Sequence, residues 1–146
     1  MKEVKVGLVG FGFSGATFHA PVIESVQGLT ITKVVSSNPK KVIEQFPKME
    51  VVASIDELLN DREIELVIIT TPNEFHFSMA KQALEAGKHV VLEKPFTVSV
   101  EEGEELIQIA KNYDRLLSVY HNRRYDNDFL TIQKLIKEEE LGTVVS

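Results

Sequence analysis

Val4-Lys5-Val6-Gly7-Leu8-Val9-Gly10-Phe11-Gly12-Phe13-Ser14-Gly15 is the stretch that decides the fold. Val4 to Val9 is an apolar run bounded by Gly10, which predicts a strand entering a turn. Gly10, Gly12 and Gly15 then fit the spacing G-x-G-x-x-G. In that pattern the first glycine allows the tight turn and the second lets a pyrophosphate approach the backbone. The third lets the following helix pack close to the strand. The N–H groups opening that helix face the phosphates, and the helix dipole favours their charge. Glycine-rich turns also join strands and helices that bind nothing, so the placement after an N-terminal apolar strand carries the weight. Gly10, Phe11, Gly12, Phe13, Ser14 and Gly15 are thus candidate dinucleotide-binding residues.

Working outward, further apolar runs fall at Leu29 to Val35, Glu50 to Val52, Leu66 to Ile69, His89 to Leu92 and Leu116 to Val119. Val and Ile dominate them, and most are apolar throughout, as strands buried on both faces of a parallel sheet read. Helical patterns lie between. Ser54-x-x-Glu57 and Ser99-x-x-Glu102 are capping-box signatures. Asn73 is a candidate cap for a helix ending at Gly87, with Phe77, Ala80, Ala83 and Leu84 on one face; Leu106, Ile109 and Ala110 share a face of the next. Pro21 predicts a break or kink in the first helical region. The alternation implies an α/β, Rossmann-type doubly wound parallel sheet. A last helix is expected from about Asn127 to Leu141, burying Phe129, Ile132, Leu135 and Ile136, with Gly142 ending it and Thr143-Val144-Val145 starting a strand. The expected organisation is a dinucleotide-binding domain over residues 1–126. Residues 127–146 would be a connecting helix and the start of a second, substrate-binding domain, before which the chain is truncated.

Composition narrows the function. Of 146 residues 43% are hydrophobic and 26% charged, with 16 Lys and Arg against 22 Asp and Glu, a net charge of −6. A chain this long can bury roughly 70% of its unfolded surface, so it needs no disulfide or metal to hold it together. An acidic balance argues against a nucleic-acid footprint. No apolar run approaches the roughly 18 residues of a membrane span, and the start of the chain does not read as a signal peptide; a cytoplasmic location is the expectation. With no Cys there is no thiolate site. The four histidines, His19, His76, His89 and His121, are too scattered for a metal motif, so no metal is expected. Arg123-Arg124 suits an ion pair or a phosphate clamp. Glu101-Glu102 suits a first helical turn, and Glu138 to Glu140 a solvated helix end.

The segment after the second strand bears on which dinucleotide binds. An acidic residue there would accept from the ribose hydroxyls, but Val34-Val35-Ser36-Ser37-Asn38-Pro39-Lys40-Lys41 has none. A 2′-phosphate would find the Ser36 and Ser37 hydroxyls, lysines including Lys40, and the start of a helix. NADP is therefore expected over NAD; the competing reading is a plain turn with solvated lysines.

Glu93-Lys94-Pro95 follows the fifth strand directly, and ligands of open α/β sheets sit outside the carboxyl ends of the strands. Pro95 restrains the backbone of Lys94. A fixed ammonium near a substrate hydroxyl would stabilise a developing alkoxide, although a loop lysine is ordinarily solvated and spacing alone leaves that open. Together, Val9 to Gly15, Thr70-Thr71-Pro72-Asn73-Glu74-Phe75-His76, Glu93-Lys94-Pro95 and Tyr120-His121-Asn122-Arg123-Arg124-Tyr125-Asp126 resemble the Gfo/Idh/MocA family of glucose–fructose oxidoreductase and inositol dehydrogenase type enzymes. Thr17-Phe18-His19-Ala20-Pro21 is similar to one subgroup of bacterial oxidoreductases.

The resemblance implies that Lys94 is the catalytic lysine that contacts the substrate hydroxyl. It puts Glu93 beside the nicotinamide ribose, Thr71, Pro72, Asn73 and His76 in a turn flanking the dinucleotide, and Asn122 near the nicotinamide. It also implies hydride transfer between a nicotinamide cofactor and a sugar, polyol or related hydroxyl compound. Substrate-binding and acid/base residues belong to the family's second domain, so the 146-residue chain alone is expected to bind cofactor without turnover. Family assemblies tend to use that domain's open sheet, so a homo-oligomer is expected of the longer protein. The alternative function is a non-catalytic NAD(P)-sensing regulator of the same fold, which would have no need of Lys94.

Overall fold

Strand β1 (Val4–Val9) lies inside a six-stranded sheet of the computed structural model, which describes residues 3–140 and 142. It pairs in parallel with β2 (Leu29–Val35) on one side and β4 (Ile64–Ile69) on the other. β3 (Glu50–Val52) extends the sheet beyond β2, and β5 (His89–Leu92) and β6 (Leu117–Val119) extend it beyond β4, all in parallel. The order β3-β2-β1-β4-β5-β6 is the doubly wound arrangement expected from the sequence. It reverses direction between β1 and β4, and the crevice beyond the carboxyl ends of those strands is where such sheets bind ligands.

Apolar side chains cover both faces of the sheet. Val6, Leu8, Ile31, Val34 and Ile68 pack with Ala20 and Ile23 of α1 (Ala20–Ser25) and Val42 of α2 (Pro39–Gln45). On the other face Val9, Val67, Ile69, Val90 and Leu92 meet Leu58 of α3 (Ile55–Leu59), Ala80, Ala83 and Leu84 of α4 (His76–Glu85), and Leu106 and Ala110 of α5 (Val100–Asn112). Phe77 and Ile109 pack against the same cluster, completing the two helix faces expected. Each fully buried aliphatic side chain contributes about 1.5–3 kcal/mol relative to exposure.

The helix ends show where local chemistry was legible. Ser54 and Ser99 cap α3 and α5, accepting from Glu57 N–H and Glu102 N–H, both at 3.3 Å. The return half of each box is redirected: Ser54 Oγ donates to Glu57 Oε1 at 3.1 Å, and Glu102 accepts from Val98 N–H. Gly87 takes its left-handed conformation after α4, with φ +75°. Glu101 and Glu102 occupy the first turn of α5.

Other expectations are corrected. Asn73 does not cap α4 with its side chain; it opens a single 3-10 turn, Asn73–Phe75, whose carbonyl accepts from His76 N–H. The last helix, α6 (Asn127–Lys137), stops before Gly142, because Glu139 adopts φ +57°. Its apolar face is not buried as expected: Phe129 is 37%, Ile132 51% and Ile136 48% exposed and Leu135 is half-buried, since α6 rests mainly on the short 3-10 turn Asn122–Tyr125. Leu141 and the strand expected from Thr143 lie outside the described residues.

Pro21 has the expected consequence in a specific form. Phe13 and Ser14 open the helix, Gly15–His19 follow as a π-helical turn in which Ala20 N–H donates to Gly15 O, and α1 continues from there with Pro21 in its first turn. Pro21 has no N–H to donate back into that turn, so it removes one bond from the helical ladder directly after the π-helical turn.

Candidate dinucleotide site

At the carboxyl end of β1 the chain needs to turn sharply, and Gly10 does so with φ +96°. Its N–H donates to Val35 O at 3.0 Å, tying the turn to the end of β2. Thr70, just past β4, donates its hydroxyl to Gly10 O at 2.9 Å. Gly15 is required by close approach, because a Cβ there would collide with the Gly10 carbonyl oxygen and lie 2.9 Å from Thr70 Oγ1. Gly12 differs: a Cβ there would meet nothing within 4 Å. No atom of the described residues therefore accounts for that glycine, and its exposed backbone leaves the room that close approach of a pyrophosphate requires. The residues present fit a dinucleotide.

Phe11 and Phe13 of this turn point different ways. Phe11 is buried, edge-to-face with Phe46 at 6.0 Å, whereas Phe13 is exposed and meets Phe18 at 5.4 Å. The Ser14 hydroxyl donates to Glu93 Oε1, so it faces the protein.

Glu93 is the node of a buried polar cluster that sequence reading did not assemble. His19 Nε2 lies 3.0 Å from the same Oε1, and Lys94 N–H donates to Oε2 at 2.9 Å. His19 and Glu93 are 2% and 7% exposed. A carboxylate only accepts, so His19 carries its proton on Nε2. The imidazole packs on the Tyr120 ring at 4.1 Å. Burial pushes the His19 pKa below its ordinary value, with Glu93 opposing. Burial pushes Glu93 up, but the Ser14, His19 and Lys94 hydrogen bonds outweigh it and hold the carboxyl below its ordinary value. Burial, aided by the Glu93 charge, raises Tyr120.

The third turn is held by His76, which is 1% exposed. Its Nδ1 lies 2.8 Å from Pro95 O and its Nε2 2.9 Å from Thr71 O, so the ring bridges the turns after β4 and β5. The Lys94–Pro95 peptide is cis. Lys94 itself is exposed, as are Pro72 and Asn73, while Thr71 and Asn122 are half-buried. Gly10 to Gly15, Thr71 to Asn73, Glu93 and Lys94 thus gather at one end of the sheet, with Asn122 opening a 3-10 turn after β6.

Beyond β2, Ser36 is half-buried and accepts from Asn38 N–H at 3.1 Å, while Ser37 and Lys40 are exposed. Lys41, on the next position of α2, donates its ammonium to Phe11 O at 3.2 Å. Arg123 forms an ion pair with Asp126 at 2.7 Å, the first of the two roles considered for that pair. Among the described residues no group of three or more His, Asp or Glu could hold a metal ion, and no helix is long and apolar enough to cross a membrane.

Comparison with known proteins agrees with this geometry. Residues 4–121 match the Gfo/Idh/MocA family model, described as an oxidoreductase family with an NAD-binding Rossmann fold. The chain is 49% identical over 141 residues to the NADP-dependent scyllo-inositol 2-dehydrogenase IolW of Bacillus subtilis, covering 97% of this chain and 39% of that protein. It is 48% identical over 142 residues to the oxidoreductase YdgJ of Escherichia coli strain K12, covering 97% of this chain and 41% of YdgJ. The biliverdin reductase of Synechocystis, solved with biliverdin and NADP+, superposes with a TM-score of 0.84 at 31% identity, covering 92% of this chain and 43% of that one. The chain spans about two fifths of the length of the curated relatives it matches. With the strand order, the glycine-rich turn and the family match in agreement, the chain belongs to the Gfo/Idh/MocA oxidoreductase family as its NAD(P)-binding Rossmann domain.

Proposed function

We propose that this chain is the cofactor-binding part of an NADP-preferring dehydrogenase acting on a sugar, polyol or related hydroxyl compound, with Lys94 as its catalytic lysine. One carboxylate carries the reading. Glu93 accepts from Ser14 in the glycine-rich turn and from the Lys94 N–H, which ties the lysine turn to the cofactor turn. Gly10, Phe11, Gly12, Phe13 and Gly15 line the pyrophosphate side, with Ser36, Ser37 and Lys40 toward the adenosine end. Thr71, Pro72, Asn73, His76, Glu93 and Asn122 frame the nicotinamide end. A bound nicotinamide supplies the hydride acceptor. Lys94 would then donate a hydrogen bond to the substrate hydroxyl oxygen and stabilise the negative charge that develops there.

An ammonium has three donors and no acceptor, so it cannot itself take up the substrate proton. Proton removal therefore falls to a group outside these residues, and loss of a positioned base typically forfeits roughly 10²–10⁴-fold in rate. Residues 127–146 would lead from this domain to the part that binds substrate. A non-catalytic dinucleotide sensor is the second reading, but a sensor needs the glycine-rich turn and not Lys94.

The test is a fluorescence titration of the 146-residue chain with NADPH and NADH. A hydride-transfer assay with NADP and a panel of polyols accompanies it, on this chain and on one extended to the length of its relatives. Tighter NADPH binding, with turnover only in the extended chain and its loss in Lys94→Met, is expected. Turnover surviving in Lys94→Met would favour another catalytic residue, and extended-chain binding without any turnover would favour the sensor.

A further inference from the structure

We infer that the buried Glu93 carboxylate makes the site hold an oxidised, cationic nicotinamide more tightly than a reduced, neutral one. The inference rests on the glycine-rich turn being the dinucleotide site. The oxidised ring carries one positive charge and the reduced ring none, so a fixed negative charge near the ring separates the two forms. A dinucleotide lies across the crevice of a doubly wound sheet. With its pyrophosphate on the turn after β1 and its adenosine toward β2, its nicotinamide falls on the β4 and β5 side. Glu93 is the first residue beyond β5. Its N–H donates to Ile69 O at 3.0 Å, which fixes it to the end of β4, and its carboxylate accepts from Ser14 in the glycine-rich turn. The charge therefore sits on the nicotinamide side of the turn that faces the pyrophosphate.

That charge is held by donors but not neutralised. Among the described residues the ion pairs engage Glu93 only through His19, at 3.0 Å. Burial, with Glu93 opposing, keeps the His19 pKa below its ordinary value, so at neutral pH the imidazole supplies a hydrogen bond and little charge. The remaining donors are the Ser14 hydroxyl and the Lys94 N–H, both neutral, while Lys94 itself is exposed. Burial pushes Glu93 up, but these three hydrogen bonds outweigh it and keep the group ionised. At 7% exposure it is screened little by water, so its field acts more strongly than that of a surface charge. A buried charge without a counter-charge is costly. An amide at this position would serve a purely structural role at lower cost. Its carbonyl would accept from Lys94 N–H, and its NH2 would donate to the Ser14 oxygen and to His19 Nε2 in the other tautomer. The retained charge therefore points to a cationic ligand. Holding the oxidised form more tightly also makes bound NADPH the stronger hydride donor, because the bound couple shifts by the difference in affinity for its two forms.

The experiment measures the affinities of NADP+ and NADPH by calorimetric titration of the wild-type chain, Glu93→Gln and Glu93→Asp. The two ligands differ only in the hydride on the nicotinamide ring, so a structural defect moves both affinities alike and cancels in their ratio. Glu93→Gln should weaken NADP+ relative to NADPH by at least about fivefold. Glu93→Asp keeps the charge on a shorter stem, so its ratio should stay within about twofold of the wild type even where both affinities fall. An unchanged ratio or loss of both ligands in Glu93→Gln, or an equal shift of the ratio in Glu93→Asp, would make Glu93 a structural link between the turns and overturn the inference. A wild-type chain that binds neither form would instead overturn the dinucleotide site on which the inference rests.

Discussion

His19 and Glu93, 74 residues apart in sequence, meet through Nε2 and Oε1 at 3.0 Å in the interior of the site. The π-helical turn Gly15–His19 delivers the imidazole from the β1 side, and the end of β5 delivers the carboxylate. Ser14 shares the same carboxylate oxygen and the Lys94 N–H takes the other. The glycine-rich turn and the lysine turn are therefore fixed to each other before any ligand arrives. Preorganisation of this kind lowers the ordering cost of binding.

Acid should loosen this junction. Burial, partly offset by Glu93, places the folded His19 pKa below the ordinary 6.5 of the unfolded chain. The unfolded chain then takes up a proton first as pH falls, so stability declines from about pH 6.5 downward. Glu93, held below its ordinary 4.5, adds stability that is present above that value and lost further into acid. The unfolding midpoint should fall more between pH 7.5 and 5.5 in the wild type than in His19→Gln, which keeps a donor for Glu93 but does not titrate. Parallel pH curves would show that His19 is not the group responsible.

Lys88 offers a change that should affect stability alone. It precedes β5 at the end of the sheet opposite the site, is 6% exposed, and donates to Asp61 O at 2.7 Å and Ile64 O at 2.8 Å. Lys88→Met would leave both carbonyls without that donor, at a cost of about 1–3 kcal/mol. Thermal unfolding should move down by roughly 4 °C per kcal/mol, with NADPH affinity unchanged. A weakened affinity at unchanged stability would contradict the separation of the two ends.

Gly15→Ala should be damaging without any ligand present. The added methyl collides with the Gly10 carbonyl and crowds Thr70 Oγ1, so the helix must shift away from the strand. Overpacking of this type costs about 1–3 kcal/mol, readable as a lowered denaturant midpoint. A variant as stable as the wild type would mean that the turn yields without cost.

Much of this was legible in the sequence, for identifiable reasons. The strands are short Val- and Ile-rich runs buried on both faces, and their period and bounding glycines survive in one dimension. The apolar run reads as starting at Leu66 because Glu65 interrupts it, whereas β4 itself begins at Ile64. The roles of Gly10 and Gly15 were legible because each follows from local geometry. The His19–Glu93–Ser14 cluster was not, since it joins distant segments through a π-helical turn that no local pattern marks. Nor does residue type distinguish Lys41 from Lys40; only the direction each leaves α2, and the position of the Phe11 carbonyl, does so. The amphipathic pattern of α6 gave the helix correctly but misled on burial, because amphipathicity states which face seeks a partner and not whether one is present.

The most direct measurement is NADPH titration into the wild-type chain and Gly12→Val, with thermal unfolding of both. Gly12 is outside the left-handed region, and a Cβ there meets no protein atom within 4 Å, so the valine variant should fold with a midpoint close to that of the wild type. Its branched side chain would occupy the place kept open for the pyrophosphate, so NADPH binding should be saturable in the wild type and lost in the variant. A folded Gly12→Val that binds NADPH as tightly as the wild type would contradict the assignment of this turn as the dinucleotide site.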